Sequence, residues 1–292
     1  VSVAVEVAVD VRCRVGESPL WDVRDACLHW VDISGQAVWR HDPSAGRTTR
    51  WSTPEPVGCI APRASGGFIA AMQTGVYAFE LGETLAPRLL AAAQHPAPQR
   101  FNDGRCDRQG RFWVGSMFPD PAQARRNGRL ARLDAGTWAP PLLEDMIVPN
   151  GLAFSPDGRT LYASDSHATV ATVWAFDYDP DTGRASRQRA FIDKLPAGRP
   201  DGAAVDADGC YWICANDGAA VLRYTPGGRL DRRIDLPVAK PSMCAFGGAQ
   251  LDTLYVTSIR PDGDGALAQP LAGAVFACRP GVRGLVEPAY AG

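Results

Sequence analysis

The chain predicts an all-β fold, a six-bladed β-propeller with four antiparallel strands per blade, on three observations. A turn followed by a strand-like run recurs six times, about every 40 to 50 residues, which is a propeller-blade period. Each of these units is followed by a second hairpin, so every unit supplies four strands. The opening stretch, residues 1–7, places valine at every second position. That reads as a strand with no partner near it in sequence. Pairing with the last blade would close the ring and remove an exposed edge.

The units justify themselves in chain order. Their first hairpins centre on residues 24–31, 64–71, 108–115, 156–163, 207–214 and 249–256, and their second hairpins hold residues 37–42, 75–80, 128–134, 171–177, 220–225 and 273–278. Asp-Gly and Gly-Gly pairs mark turns that need positive φ. β-Branched and aromatic residues fill the runs between them, and almost no window carries an apolar stripe at helical spacing. The short proline clusters, Pro119/Pro121 and Pro140/Pro141, read as loops between strands. No composition shift divides the 292 residues, so residues 1–292 are expected to form a single domain.

Composition narrows the function. The formal net charge is −2, which offers no electrostatic footprint for nucleic acid. No apolar run is long enough to span a membrane as a helix, and residues at the start lack the charged-then-apolar pattern of a signal peptide. Eight cysteines occur without a CxxC pair. They read as buried, reduced thiols, and the expected compartment is cytoplasmic.

The chemistry lies in four similar segments: 17–22, 102–107, 150–155 and 201–206. Each opens on an acid or amide and runs into a turn. Aligned across the six inner strands, the first positions are Glu17, Gly58, Asn102, Asn150, Asp201 and Ser242. In a closed ring those positions converge. Strand interiors disfavour Asp, Asn and Gly, so their repetition at one register is a functional signal. Glu17, Asn150 and Asp201 are the expected ligands of one divalent cation, since hard cations take oxygen donors. Asn102 belongs to the same ring but can serve substrate instead. The returning strands end in a second ring: Asp32, Gln73, Met117, Asp165, Asn216 and Ser258. Asp165 and Asn216 are its candidates for supporting the ligands or touching substrate, whereas Asp32 and Ser258 read as ordinary strand-end polarity.

These residues resemble a known family. Segments 16–21, 100–104, 110–117, 149–155, 162–166, 200–206 and 244–248 match, in order and over nearly the whole chain, the senescence-marker-protein/gluconolactonase/luciferin-regenerating-enzyme family of six-bladed propellers. The resemblance implies that Glu17, Asn150 and Asp201 hold one divalent cation. It also implies that Arg100 and Asn102 contact substrate, and that the reaction is hydrolysis of a sugar lactone, pentose or hexose derived, to its aldonic acid. Asp201 would also orient or deprotonate the attacking water. An oxygen-only donor set suits Ca²⁺ first, with Mg²⁺, Mn²⁺, Zn²⁺ and Fe²⁺ as alternatives. The small-molecule lactone is the expected partner, with no nucleic acid and no membrane. The segment 96–98, with two prolines, would hold Arg100 at the channel mouth. The loop 118–127 is expected to cover part of the substrate.

Other classes remain in view. Residues 16–20 superficially suggest a serine nucleophile elbow, but lack its closing glycine and its strand-to-helix context. His29, His41, His95 and His167 include no evident partner base, and His29 reads as structural. A non-enzymatic binding propeller, a calcium-responsive regulator and an arylesterase-like propeller hydrolase are the further alternatives.

Overall fold

The computed structural model describes residues 3–292. Six antiparallel sheets follow one another along the chain. Blade 1 runs Gly16–Asp22, Cys27–Asp32, Ala37–Asp42 and Arg47–Ser52. Blade 2 runs Val57–Pro62, Phe68–Met72, Gly75–Phe79 and Arg88–Ala92. Blade 4 comprises Pro149–Phe154, Thr160–Asp165, Thr172–Asp179 and Arg184–Ile192, and blade 5 comprises Arg199–Val205, Tyr211–Asn216, Ala220–Tyr224 and Leu230–Asp235.

Blade 3 departs from the expected four strands. Its inner three are Arg100–Cys106, Phe112–Met117 and Gly128–Asp134, but the outer strand is split into Thr137–Trp138 and Leu143–Met146, both paired with Gly128–Asp134. Pro140 and Pro141 fall in the gap, and proline cannot donate to a ladder.

Blade 6 closes the ring. Its strands Pro241–Gly247, Thr253–Ser258 and Val275–Cys278 are completed by Val5–Val9, with Val5 opposite Cys278 and Val7 opposite Phe276. The closing strand thus begins and ends two or more residues later than the sequence suggests, and Val1 and Ser2 lie outside the described residues.

The core is divided among the seams. One apolar cluster fills each of the six blade-to-blade interfaces; Trp212, Phe246 and Phe276, for example, sit between blades 5 and 6. Alternation in each strand sends side chains to both neighbouring seams, so nearly every inner-strand residue is buried. All eight cysteines are buried and free. Among the described residues helix is confined to Asp264–Ala268 and a 3₁₀ turn at Pro121–Gln123. Among the described residues no helix is long and apolar enough to cross a membrane.

A C-terminal strap crosses the end of the channel where the inner strands finish. Gly284 N donates to Leu251 O, Ala207 N to Arg283 O, Tyr290 N to Pro62 O at 2.7 Å, and Ala291 N to Gly110 O. Tyr290 is buried and its hydroxyl accepts from Gly136 N at 2.8 Å. The strap thereby ties blades 6, 5, 2 and 3 together.

Candidate active site

The inner strands of blades 1, 3, 4 and 5 all start at the opposite end of the channel from the strap. Glu17, Asn102, Asn150 and Asp201 stand there, each buried. A local feature of the backbone aims them. In every blade the pairing of the inner strand with its neighbour shifts register at this level, between Glu17 and Leu20, Phe101 and Gly104, Asn150 and Ala153, and Pro200 and Ala203 in these four. Such bulges re-aim side chains beside functional sites. Gly151 follows from this: its φ is +64° and a Cβ there would meet Ser164 Oγ at 2.6 Å. Gly58, the ring position of blade 2, lies against the backbone of Phe101 and Asn102, where a Cβ would stand 2.6–2.7 Å from their carbonyl oxygens. It makes room for Asn102 rather than supplying a ligand.

Three of the ring residues, Asn102, Asn150 and Asp201, form one hydrogen-bonded chain. Arg100 Nη1 donates to Asn102 Oδ1 at 2.8 Å, and Asn102 Nδ2 donates to Asn150 Oδ1 at 3.3 Å. Asn150 Nδ2 donates to Asp201 Oδ1 and to Ser166 Oγ, both at 2.8 Å. Asn216 Nδ2 donates to Asp201 Oδ2 at 2.6 Å, while Arg199 Nη2 donates to Asn216 Oδ1 at 3.1 Å. Both amides therefore present fixed faces. Asn150 turns its nitrogen toward Ser166 and Asp201 and its oxygen toward Asn102.

Charge is concentrated here. Burial lifts the Glu17 carboxyl well above its ordinary value, and Asp201 and Asp103 push it further. Burial likewise raises Asp201 to about 7, against the pull of Arg199 and the Asn216 amide. Asp103 is raised by burial too, and its Oδ1 has no partner, while Oδ2 accepts from Leu152 N at 2.9 Å. Arg100 is lowered to about 10 by burial, with Glu17 opposing. Three carboxyls, Glu17, Asp103 and Asp201, all buried, are an environment that a divalent cation fits, because it would stabilise their ionised forms. The donor set of Glu17, Asn150 and Asp201 is all oxygen, as hard cations require.

A different acidic cluster, Asp22, Asp25 and His29, brings three ligand atoms close together. It lies at the far end of blade 1, and its carboxylates are already engaged: Arg24 grips Asp22 at 2.6 Å and Arg40 reaches Asp25 at 3.1 Å. It is not part of the ring.

The second ring divides. Asn216 supports Asp201 directly. Asp165 does not reach the site: its carboxylate accepts from the backbone N–H groups of Ile147 at 2.7 Å and of Val148 and His167 at 3.0 Å, holding the entry into blade 4. Asp32 does the same in blade 1, accepting from Arg14, Val15 and Gly35 N. The expectation that Asp165 supports ligands or substrate is corrected accordingly. In blade 2 the strand ends on Met72, opposite Val57, rather than on Gln73. Ser242 bridges blades, donating to Gly16 O, beside Glu17.

Ser166 was missed. Its hydroxyl donates to Pro200 O and accepts from Asn150, linking the ring positions of blades 4 and 5. Adjacent strand residues point to opposite sides, so choosing Asp165, which follows Asn150 at the same spacing as Asn216 follows Asp201, excluded its neighbour; the spacing carried no signal for Ser166, one residue further on. Ser18 is no nucleophile elbow: its φ is +50° and its Oγ accepts from Ile60 N at 3.0 Å across the blade 1–2 seam. The loop 118–127 is exposed, with Asp120 capping the 3₁₀ turn and the Arg125 guanidinium 4.0 Å from the centre of the Phe118 ring.

The chain is similar to known proteins over most of its length. The family model described as SMP-30/Gluconolactonase/LRE-like region matches residues 15–260. The chain is 42% identical over 280 residues to a 6-deoxy-6-sulfogluconolactonase of Pseudomonas putida, covering 95% of each chain. It is 35% identical to human regucalcin over 301 residues, covering 100% of this chain and 99% of the relative. A solved structure of a calcium-binding protein, regucalcin, from Agrobacterium tumefaciens superposes with a TM-score of 0.92 at 28% identity, covering 99% of this chain and 98% of that one.

Proposed function

Because the chain belongs to the SMP-30/gluconolactonase/LRE-like family, we propose that it hydrolyses a sugar lactone to the aldonic acid with the help of one divalent cation. The observation that carries this reading is the continuous chain Arg100–Asn102–Asn150–Asp201, with Glu17 buried at the same end of the channel. The relative named 6-deoxy-6-sulfogluconolactonase supports the reaction class.

Glu17, Asn150 and Asp201 would hold the cation, which when bound polarises the lactone carbonyl and stabilises the charge that develops on its oxygen. Calcium is the favoured ion for an all-oxygen donor set. Arg100 and Asn102 orient the sugar: a half-buried guanidinium is a fixed donor fork for hydroxyl and ring oxygens. Asp201, clamped by the amides of Asn150 and Asn216, accepts the proton of the attacking water. Water adds to the carbonyl, the ring C–O bond breaks, and the former ring oxygen leaves as a hydroxyl after taking a proton. The clamp keeps Asp201 from turning away, which is what orientation requires.

The deciding experiment uses metal-stripped protein, assayed against pentono- and hexonolactones with each divalent ion restored in turn. The panel includes a hexonolactone carrying an anionic group on carbon 6. Turnover should return with calcium or another oxygen-preferring ion. No lactone turnover with any ion, or full turnover without one, would overturn the reading.

A further inference from the structure

The hairpin turns opposite the candidate active site enclose a cleft that lactone hydrolysis does not use. It lies among the turns of blades 1 and 2, Arg108 of blade 3 and the C-terminal strap, with a volume of about 470 Å³. Four arginines stand in or beside it, and two have acidic partners. Arg24 grips Asp22 through Nε at 2.9 Å and Nη2 at 2.6 Å, and also reaches the carbonyls of Arg63 and Gly67, fastening blade 1 to blade 2. Arg105 holds Glu287 of the strap at 2.9 Å and Ala203 O at 2.7 Å.

Arg63 and Arg108 differ from these. The Arg63 side chain reaches only Gly66 O, at 3.4 Å, and its Nε is buried with no partner. Arg108 donates to two carbonyls, Phe154 O at 3.1 Å and Ser155 O at 3.3 Å. Among the described residues neither guanidinium has a carboxylate within ion-pair distance, the two acids of the cleft being held by Arg24 and Arg105. Burial pulls Arg108 below its ordinary value, with Glu287 opposing and Arg105 adding to the fall. Val23 and Val286, 49% and 51% exposed, give the rim an apolar part. The walls are fixed by hydrogen bonds, since Ala64 N donates to Tyr290 O and Tyr290 N to Pro62 O.

We propose that this cleft binds the oxyanion group of a small metabolite, a phosphate or a carboxylate, between Arg63 and Arg108. Guanidinium forks match the oxygens of both groups. The volume suits a small molecule, whose apolar part would rest on Val23 and Val286. The site is separate from the lactone reaction and stands whether or not that reaction is confirmed.

Titration calorimetry on the metal-loaded protein tests it, with inorganic phosphate and propionate as probes. Two variants accompany the wild type. Arg63→Gln/Arg108→Gln removes both charges, and Ala64→Glu adds a negative charge at an exposed rim position without removing a side-chain bond. One probe should saturate, and both variants should weaken it at least about tenfold while keeping the melting temperature of the wild type. Tighter phosphate identifies a phosphorylated ligand and tighter propionate a carboxylate. Should the double variant fail to fold, Ala64→Glu alone decides. Failure of both probes to saturate below about 100 mM, or unchanged affinity in the folded variants, overturns the proposal.

Discussion

Asp201 accepts from two amides whose other atoms are themselves held, Asn150 Oδ1 by Asn102 and Asn216 Oδ1 by Arg199. Asp201→Ala should therefore abolish lactone turnover and weaken cation binding, read by activity and by calcium titration. Asn216→Ala should cost about 10- to 100-fold in activity or metal affinity, the usual effect of losing a ligand's support. Asp165→Ala should behave differently. It strips three backbone donors of their acceptor and should cost about 2–4 kcal/mol of stability, measured by denaturant unfolding, with turnover per folded molecule retained. The buried acids also set a pH dependence. Glu17 and Asp201 have folded values above their unfolded ones, so between about pH 4 and 7 the folded, metal-free protein binds more protons than the unfolded chain. Its stability then falls as pH rises through that window. Calcium should abolish the fall; equal melting curves from pH 4 to 8 with and without the ion would contradict this. At this scale the sequence was informative where a residue type recurs at one register, as Glu17, Asn150 and Asp201 do. It was silent on Ser166 and misleading on Asp165, because which of two adjacent strand-end residues faces the channel depends on where the neighbouring strand bulges.

The repeated segment explains itself once its two ends are seen at opposite faces. Its first residue lines the channel mouth and its last secures the far turn: Asp107 Oδ1 accepts from Gln109 and Arg111 N, Asp206 Oδ1 from Asp208 and Cys210 N, and Ser155 Oγ from Arg159 and Thr160 N. Five strand steps span about 17 Å, so one short motif carries a ligand and its own anchor. That is why the motifs were so legible. The split outer strand of blade 3 was less so: the prolines were visible, but not that ladder pairing resumes beyond them. Loop 118–127 sits where the second strand of that blade emerges. Replacing it with a short Gly-Ser turn should change the ratio of activities on pentono- and hexonolactones. An unchanged ratio in folded protein would show that the loop does not select the sugar.

For the whole molecule, the sixfold count and the ring closure were readable because each seam needs two apolar faces and each blade repeats the same alternation. The C-terminal strap was not, since residues 283–291 carry no periodic pattern and gain their place from backbone hydrogen bonds to four blades, the buried Tyr290 and the Arg105–Glu287 ion pair. Deleting residues 1–9 should expose the edge of Val275–Cys278, lower the melting temperature by several degrees and promote self-association, seen by size-exclusion chromatography.

The closing pair Val5–Val9 and Val275–Cys278 also has a meaning in time. Val5–Val9 is made before any of the six blades, yet its partner strand lies at the outer side of the sixth. At ordinary rates of synthesis of about 5–20 residues per second, it waits roughly 15 to 55 seconds. Throughout that interval an alternating valine strand hangs unpaired from a growing chain, with Glu6 as its one charge. The circle that protects the finished protein leaves the nascent one open until Val275–Cys278 has emerged.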